Sequence, residues 1–450
     1  MLSIAFPMQT FNVISRTLWQ GVDTMKTPRR GISRRDALAS MAGIGGLAVA
    51  GDVAGQQQPP QPPPFESLPI KGKAGPGLEP IDTAMLDIME RHGIPGAGFA
   101  LAKDGKLLLA KGYGWANVTN ASPAQPSTLF GLASLSKPIT AVATLKLVEQ
   151  GKLKLDDPVR EILKDIKAPS DVTRVDPRLA DITVRQCLNH SGGWDRVVAG
   201  DPCNWEPMIC RHYSIKPPLS ARQFLEFMVG QPLQFKPGTD QKYSNIGYVI
   251  LGEVIAKVSG QPYDRFIAEN ILKPMGIKRA GLHAFDGKYT PEEAVRFLAG
   301  TLITLPAMLL PMVNAAGGWS ASVVDMARFM TNLDGSRGEP VLGEKMRQEM
   351  LAMPPEPLKP REGGTWFGLG WDSVIGKDKT VGYYKDGSYQ GMRTYMKRLP
   401  SGINWVLLFN ASMEFEQQDL RIASAAVQDV HQLVEGQTKY PDIDLFKEFP

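Results

Sequence analysis

A serine and a lysine three positions apart stand at the start of a predicted helix, where they could carry nucleophilic chemistry. They are Ser134 and Lys137, and the apolar residues after them recur at helical spacing as far as Gly151. Because three residues make nearly one helical turn, the two side chains share a face. A serine hydroxyl is a weak nucleophile that needs a neighbouring base, and a desolvated lysine can serve. The alternative is a helix-capping serine followed by a solvated lysine.

Two further short motifs could complete a catalytic site. Tyr243 and Asn245 form a Y-x-N pattern, and Lys385 and Gly387 form a K-x-G pattern on the first residues of a predicted strand.

Taken in order, the S-x-x-K, Y-x-N and K-x-G motifs resemble the triple signature of the serine β-lactamases and penicillin-binding proteins. With Y-x-N in the middle, the chain is similar to the class C branch, which includes class C β-lactamases, D-alanyl-D-alanine carboxypeptidases, D-aminopeptidases and β-lactamase-like esterases. Longer blocks resemble the family in the same order over most of residues 80 to 435. They are TLFGLASLSKPITAVATLKLVEQGKLKLDDPV, ITVRQCLNHSGGWD, FKPGTDQKYSNIGYVILGEVI, NAAGGWSASVVDMARFM and WFGLGW.

The resemblance implies catalytic roles for three residues. Ser134 would be the nucleophile that forms an acyl-enzyme, and Lys137 would assist the removal of its proton. Tyr243 would exchange protons with the serine and the leaving group. A phenol has a pKa near 10, so this role at neutral pH would need nearby cations that favour the ionised form, and Lys137 and Lys385 are the candidates. We therefore expect an exported serine hydrolase that cleaves an ester or amide. The alternatives are a D-amino-acid peptidase, carboxypeptidase or β-lactamase acting on cell-wall peptides or β-lactams, and a catalytically silent binding or sensor domain.

The resemblance also implies substrate contacts for Asn245, Lys385, Gly387 and Ser388. Asn245 would hydrogen-bond the substrate or hold the catalytic lysine. The backbone N–H of Ser388 would form an oxyanion hole with that of the nucleophile, and Gly387 would leave space for the substrate along the strand. The family usually has Thr or Ser where this chain has Asp386. Because a carboxylate there would repel a substrate carboxylate, neutral carboxylic esters are expected to be favoured.

Residues 80–450 predict an α/β domain of the α+β type, with an antiparallel sheet flanked by helices, as in the β-lactamase and penicillin-binding-protein fold. A helix follows Pro80, and an Asp104-Gly105 turn joins two apolar runs into a hairpin. Further strands and a closing helix are predicted after about residue 380. The strands of the two chain ends would pair in one sheet, with a mostly helical region, about 160–375, inserted between them.

The amino-terminal part of the chain has the features of an export signal. Residues 1–50 resemble a twin-arginine signal, with SRRDAL at 33–38 before a short apolar run that ends in AVA at 48–50. A basic turn before a buried helix is the alternative. The leader-like sequence begins at Met25, which indicates a translation start there. Residues 51–79 are rich in Pro and Gln and predict a linker. We therefore expect an exported, periplasmic or extracytoplasmic protein.

Composition limits the classes of partner. The chain of 450 residues is 43% hydrophobic and 21% charged, which is typical of globular proteins. Its formal net charge of +4 comes from residues 1–50, and the remainder is balanced, so nothing favours nucleic acid. We expect a small-molecule or short-peptide substrate and no integral membrane segment in the mature chain. No cofactor and no metal are expected, because the five histidines and three cysteines lack ligand spacing.

Three features leave alternatives open. The apolar run at 300–313 predicts either a buried helical pair or an apolar wall of the acyl pocket. Cys203 and Cys210 flank a short loop and could form a disulfide, whereas Cys187 is expected to be a buried free thiol. His190 could suggest a Ser/His triad, but the family's machinery implies a structural role. The number of subunits stays open.

Overall fold

The longest sheet joins strands from both ends of the chain. The computed structural model describes residues 67–282, 288–298, 304–305, 311–361, 364–375, 381–412 and 417–449. Its strands are β1 Ile70–Ala74, β2 Gly96–Lys103, β3 Lys106–Asn117, β4 Ser122–Pro123, β5 Phe130–Gly131, β6 Gly281–Leu282, β7 Arg296–Leu298, β8 Thr304–Leu305, β9 Trp319–Ala321, β10 Thr365–Phe367, β11 Asp372–Ile375, β12 Val381–Tyr389, β13 Met392–Arg398, β14 Ile403–Phe409 and β15 Ala411–Ser412. Among these residues, nine strands form one antiparallel sheet in the order β1-β3-β2-β14-β13-β12-β11-β10, with β4 beside β3.

The helices surround this sheet and fill the middle of the chain. They are α1 Pro80–His92, α2 Ser136–Glu149, α3 Val159–Ile162, α4 Val184–Leu188, α5 Arg196–Ala199, α6 Glu206–Tyr213, α7 Ala221–Val229, α8 Ile246–Ser259, α9 Tyr263–Ile267, α10 Asn314–Gly317, α11 Val323–Leu333, α12 Glu344–Leu351 and α13 Gln417–Glu435. In the described part of the chain, no helix is long and apolar enough to cross a membrane.

The first helix and hairpin follow from local sequence. Pro80 occupies the first turn of α1, where its missing N–H costs nothing, and Gly93 closes the helix in the left-handed region at φ 63°. Asp104 and Gly105 both have positive φ, 50° and 75°. This is the conformation that a type I′ turn requires, and it matches the twist of β2 and β3. The predicted helix and hairpin are therefore present.

Alternating residues of the central strand β2 face two different hydrophobic cores. Phe99 and Leu101 pack in a core that includes Met85 of α1 and Val430 of α13. Ala100 lies on the other face, in the larger core that contains α2 and α8. Since β2 is covered on both faces, nearly all of its residues are buried. The sheet is thus a layer between a helical pair and the helical region, and it holds the site from one side.

The structure differs from the sequence-based boundaries in two places. Residues 70–74, within the predicted linker of 51–79, form the edge strand β1, which pairs with β3. The sheet also resumes at Thr365, earlier than the predicted end of the helical insertion at about 375, because β10 and β11 extend it beyond β12. The predicted export signal and most of the apolar run at 300–313 lie outside the described residues. Export therefore stays a prediction.

Candidate active site

Ser134 lies on a tight turn and not within the helix that follows it. The turn is a single stretch of 3₁₀ helix, Ala133–Leu135, between β5 and α2. Ala133 has a φ of 46°, in the left-handed region that a non-glycine residue seldom adopts. The predicted helix therefore begins two residues later, at Ser136. The Ser136 hydroxyl accepts a hydrogen bond from the Trp319 backbone N–H at 3.1 Å, which fixes the start of α2 against β9.

The serine of the first motif and the tyrosine of the second meet directly. Ser134 Oγ and Tyr243 Oη lie 2.6 Å apart, at hydrogen-bond distance. Lys137 Nζ donates to Ser134 Oγ at 3.1 Å and to the carbonyl oxygen of Ala316 at 2.8 Å. The structure thus brings these three predicted residues together, so that a hydroxyl, an amine and a phenol can exchange protons without a large movement.

The surroundings of Lys137 favour its neutral form. The side chain is completely buried. This burial, followed by the positive charge of Lys385, holds the pKa of the Lys137 amine well below its ordinary value. A neutral amine has a free lone pair, which the ammonium form lacks. Lys137 can therefore take a proton from the serine hydroxyl, in addition to donating to it.

The pKa of the Tyr243 phenol is raised, chiefly by burial, so its surroundings favour the protonated form. The hydrogen bond with Ser134 and the charge of Arg196 partly offset this rise. The Nζ atoms of Lys137 and Lys385 each lie 4.9 Å from the centre of the tyrosine ring. A lysine at this distance interacts favourably with the ring when it is charged. Both lysines of the sequence motifs thus lie next to the tyrosine.

The lysine of the third motif is not open to solvent. The side chain of Lys385 is 1% exposed, and its ammonium lies 3.8 Å from a carboxylate oxygen of Asp372 on β11. Burial raises the pKa of Asp372, although the charge of Lys385 opposes that shift. The ammonium is therefore partly neutralised within the protein before any substrate enters.

Gly387 lets strand β12 run close to the nucleophile turn. A Cβ at this position would lie 2.8 Å from the Leu132 carbonyl oxygen, 2.9 Å from the Ser134 nitrogen and 2.4 Å from Thr394 Oγ1. These neighbours are backbone atoms or a buried hydroxyl, since Thr394 Oγ1 itself donates to Leu132 at 2.8 Å. Any side chain at residue 387 would therefore push the strand away from the serine.

We expect Gly387→Ala to lower kcat/KM by about ten- to a hundredfold, because a small displacement of a reacting group costs that much. Gly281→Ala is the matched control, since a Cβ there would meet no atom within 4 Å. Steady-state kinetics on an ester, with melting curves of both variants, measure the effect. An alanine at 387 that leaves kcat/KM unchanged would show that the close approach has no part in catalysis.

Asn245 and Ser388 take different positions around the same cavity. The cavity has a volume of about 660 Å³, and both residues line it together with Ser134. Asn245 Nδ2 donates to a carboxylate oxygen of Asp201 at 2.7 Å. The resemblance implied that Asn245 either binds the substrate or holds Lys137. Among the described hydrogen bonds, Lys137 donates to Ser134 and Ala316 and not to Asn245. Ser388 is exposed at the wall of the cavity, one residue beyond the close approach of β12.

Asp386 does not present a free negative charge to the cavity. One of its carboxylate oxygens lies 3.0 Å from Nη1 of Arg393, whose side chain is only 7% exposed. The two residues stand on the paired strands β12 and β13, so the ion pair is part of the sheet. The ion pair with Arg393 therefore weakens the repulsion of a substrate carboxylate that was expected from Asp386, and that repulsion stays a prediction.

Sequence reasoning missed three charged residues that line the cavity. They are Arg196 at the start of α5, Asp201 in the following loop, and Glu206 at the start of α6. Asp201 caps the next turn by accepting from the Cys203 backbone N–H at 3.1 Å. The signal available was the position of this loop, directly after the family-like block that ends at Asp195. Charged residues next to such a block follow no periodic pattern, so the motifs alone do not point to them.

His190 supports the tyrosine by packing. The two ring centres are 4.7 Å apart, and His190 Nδ1 accepts a hydrogen bond from the Ser244 backbone N–H at 3.2 Å. Burial, followed by the nearby lysine charges, holds the pKa of the His190 imidazole well below its ordinary value. The contacts described for this neutral ring do not include the serine hydroxyl. They agree with a structural role.

The three cysteines are free and buried. Cys187 is therefore the buried thiol that the sequence predicted. Cys203 and Cys210, which the sequence allowed to pair, form no disulfide in this structure. Cys203 instead lines the cavity of Ser134, at the turn that Asp201 caps.

A comparison with protein families matches residues 81–428 to the family described as Beta-lactamase. Among curated proteins, protein flp of Staphylococcus aureus strain MW2 is 30% identical over 198 residues, which cover 44% of this chain and 37% of that protein. Esterase EstB of Burkholderia gladioli is 29% identical over 214 residues, covering 45% and 50% respectively. The matched part of the chain thus spans between about a third and a half of these relatives.

Solved structures agree with the family match. The octameric penicillin-binding protein homologue from Pyrococcus abyssi superposes with a TM-score of 0.65 at 25% identity, covering 82% of this chain and 80% of that one. The D-amino acid amidase from Ochrobactrum anthropi SV3 gives 0.63 at 23% identity, covering 79% and 99%. The second likeness shows the fold alone. Together they confirm the predicted fold class and the resemblance from which it came.

Proposed function

Because the chain belongs to the beta-lactamase family, a family of serine hydrolases, we propose that it hydrolyses an ester or amide through an acyl-enzyme on Ser134. The observation that carries this proposal is the geometry of the serine hydroxyl. It lies 2.6 Å from the phenol of Tyr243 and 3.1 Å from the amine of Lys137. A hydroxyl between two groups that can take its proton is an activated nucleophile.

The proposed reaction has two steps. In the first, Ser134 Oγ bonds to the substrate carbonyl carbon while its proton passes to Lys137 or Tyr243. The bond from that carbon to the leaving oxygen or nitrogen breaks, and the proton passes through Tyr243 to the leaving group. In the second step, a water oxygen bonds to the acyl carbon and the bond from that carbon to Ser134 Oγ breaks. One water proton passes through Lys137 or Tyr243 to Ser134 Oγ, so the acid product leaves and the serine is restored. The backbone N–H groups of Ser134 and Ser388 are the proposed donors to the oxyanion.

We propose that neutral carboxylic esters are the preferred substrates. The buried ammonium of Lys385 is already shared with Asp372, so it is a weak receptor for a substrate carboxylate. Of the charged residues that line the cavity, Arg196 is exposed, whereas the carboxylates of Asp201 and Glu206 each accept a hydrogen bond from a backbone N–H group. One cation against two carboxylates does not favour a substrate carboxylate. The relative named esterase EstB supports the same class of substrate.

A second candidate is a peptidase or amidase whose substrate carries a free ammonium group, such as a D-amino-acid amide. The observation that favours it is the carboxylate of Asp201 in the cavity. Within the described residues no cation lies at ion-pair distance from it, and it is oriented by Asn245 and the Cys203 backbone N–H. A substrate ammonium could therefore be bound there.

A hydrolysis panel separates these candidates. We expect kcat/KM for p-nitrophenyl butyrate to exceed that for nitrocefin, for a D-Ala-D-Ala peptide and for D-phenylalanine amide by about tenfold or more. Each additional buried methylene of the acyl chain is worth about 0.8 kcal/mol, roughly fourfold, so butyrate should also exceed acetate. The Ser134→Ala variant measures the background. A preference for the amide or the peptide that Asp201→Asn abolishes would favour the second candidate, and a preference for nitrocefin would contradict both.

A further inference from the structure

We propose that Arg196 is an electrostatic positioning residue of this site, whose guanidinium, held over the Tyr243 ring, favours loss of a proton from the serine, lysine and tyrosine cluster. This inference rests on the proposed function of Ser134. It adds one residue to those of the three sequence motifs. This residue belongs to the short helix α5 and lines the cavity.

The geometry of Arg196 supports this role. Its guanidinium carbon lies 4.6 Å from the centre of the Tyr243 ring, closer than either motif lysine, and the residue lines the cavity with Ser134. The side chain is exposed, and in the described part of the chain no carboxylate lies within ion-pair distance of it. Its charge is therefore not neutralised by an ion pair, and the contact that the structure records for it is with the tyrosine.

The other two cations at the tyrosine are less dependable. Burial holds the pKa of the Lys137 amine well below its ordinary value, which favours the uncharged form of that amine. Lys385 lies 3.8 Å from the carboxylate of Asp372. An arginine keeps its proton at every pH at which the enzyme works. Arg196 is thus the permanent positive charge at this ring.

Other groups face the tyrosine as well. Asp201, from the loop after α5, and Asp386, on β12, each raise the pKa of the Tyr243 phenol. Asp386 is itself paired with Arg393 at 3.0 Å. The ring of His190 also packs on the tyrosine, but it is neutral because burial lowers its pKa. The two carboxylates thus oppose the deprotonation that Arg196 favours.

The direction of the effect is the same for both proton acceptors. The charge of Arg196 lowers the pKa of the Lys137 amine and that of the Tyr243 phenol. Both groups must release a proton before they can accept one from Ser134. Removing the guanidinium should therefore raise both pKa values, and it should move the acid limb of the activity profile to higher pH.

The test compares Arg196→Met, Arg196→Lys and the matched control Arg211→Met, an exposed arginine on α6. The kcat/KM of a neutral ester is measured from about pH 5 to 10. We expect Arg196→Met to move the midpoint of the acid limb upward by at least about half a pH unit, which is roughly a threefold loss on that limb. Arg196→Lys should lie nearer to the wild type, and the control should not move.

A second readout separates this inference from the proposed function. The rate at which a neutral fluorophosphonate labels Ser134 depends on the same ionisation but needs no identified substrate. If the fluorophosphonate does not label the wild-type enzyme, the proposed function fails. If the wild type is labelled but Arg196→Met keeps the acid limb of kcat/KM at the same pH, the role of Arg196 is overturned. A fall in kcat/KM that is equal at every pH would overturn it as well. Since the side chain is exposed, raising the salt concentration should reduce the shift.

Discussion

Ser134→Ala should abolish turnover, lowering kcat by about five to six orders of magnitude, the scale measured when a serine hydrolase loses its nucleophile. The physical reason is that no other hydroxyl lies between the amine of Lys137 and the phenol of Tyr243 among the hydrogen bonds that the structure describes. The variant should also lose the mass adduct of a fluorophosphonate. Burst kinetics with an ester and intact-protein mass spectrometry give the two measurements.

Ser136→Ala is the control for that substitution, because it removes the other serine of the same motif. The Ser136 hydroxyl accepts from the Trp319 backbone N–H at 3.1 Å and is completely buried. Its loss leaves a buried donor without a partner, which costs about 1–3 kcal/mol of stability. We expect a lower melting temperature with labelling at Ser134 retained. An adduct on Ser136, or equal labelling of Ser134→Ala, would contradict the assignment.

Tyr243→Phe should slow acylation by about two to four orders of magnitude, the range for losing a group that transfers protons. The substitution removes the oxygen that lies 2.6 Å from Ser134 Oγ, while the ring can still pack on His190. We therefore expect a folded protein that is labelled slowly and only at Ser134. Stopped-flow measurement of the acylation burst, with near-ultraviolet circular dichroism for the fold, checks both parts.

Tyr248→Phe is the matched control for the tyrosine. Its hydroxyl is also buried, but it donates to the Leu188 carbonyl oxygen at 2.7 Å and not to the nucleophile. Its loss should reduce stability by about 1–3 kcal/mol and leave the acylation rate within a few-fold of the wild type. If Tyr243→Phe acylated as fast as this control, Tyr243 would have no part in the proton transfer.

Local sequence signals were sufficient for the first helix, the hairpin and the three motifs. Proline and glycine mark the ends of α1, and Asp104-Gly105 has the positive φ values that its turn needs. These features depend on neighbours in the chain, so a single sequence reveals them. The order of the motifs, through the family resemblance, implied that Ser134, Lys137 and Tyr243 would meet.

The sequence did not reveal which partners some of the site residues would have. Lys385 approaches Asp372, and Asn245 binds Asp201, 44 positions away. The first pair depends on the pairing of strands β11 and β12, and the second on how a loop lies beside α8. Neither arrangement is encoded by periodicity in the sequence. The strand β1 was also missed, because an edge strand with exposed lysines lacks the apolar alternation of a buried one. Arg196 was missed because its contact with Tyr243 also joins two segments that are far apart in the chain.

The pairing of β2 with β14 has a consequence for the order of events during synthesis. Lys103 of β2 pairs with Ile403 of β14, so about 300 residues separate the two partners, and translation at about 5–20 residues per second needs some tens of seconds to cross that distance. Until then the nascent β2–β3 hairpin has an open, apolar edge that other chains can pair with. The sheet therefore cannot be completed until β14 has been synthesised. A chain that stops before residue 403 lacks the strand that covers this edge of β2.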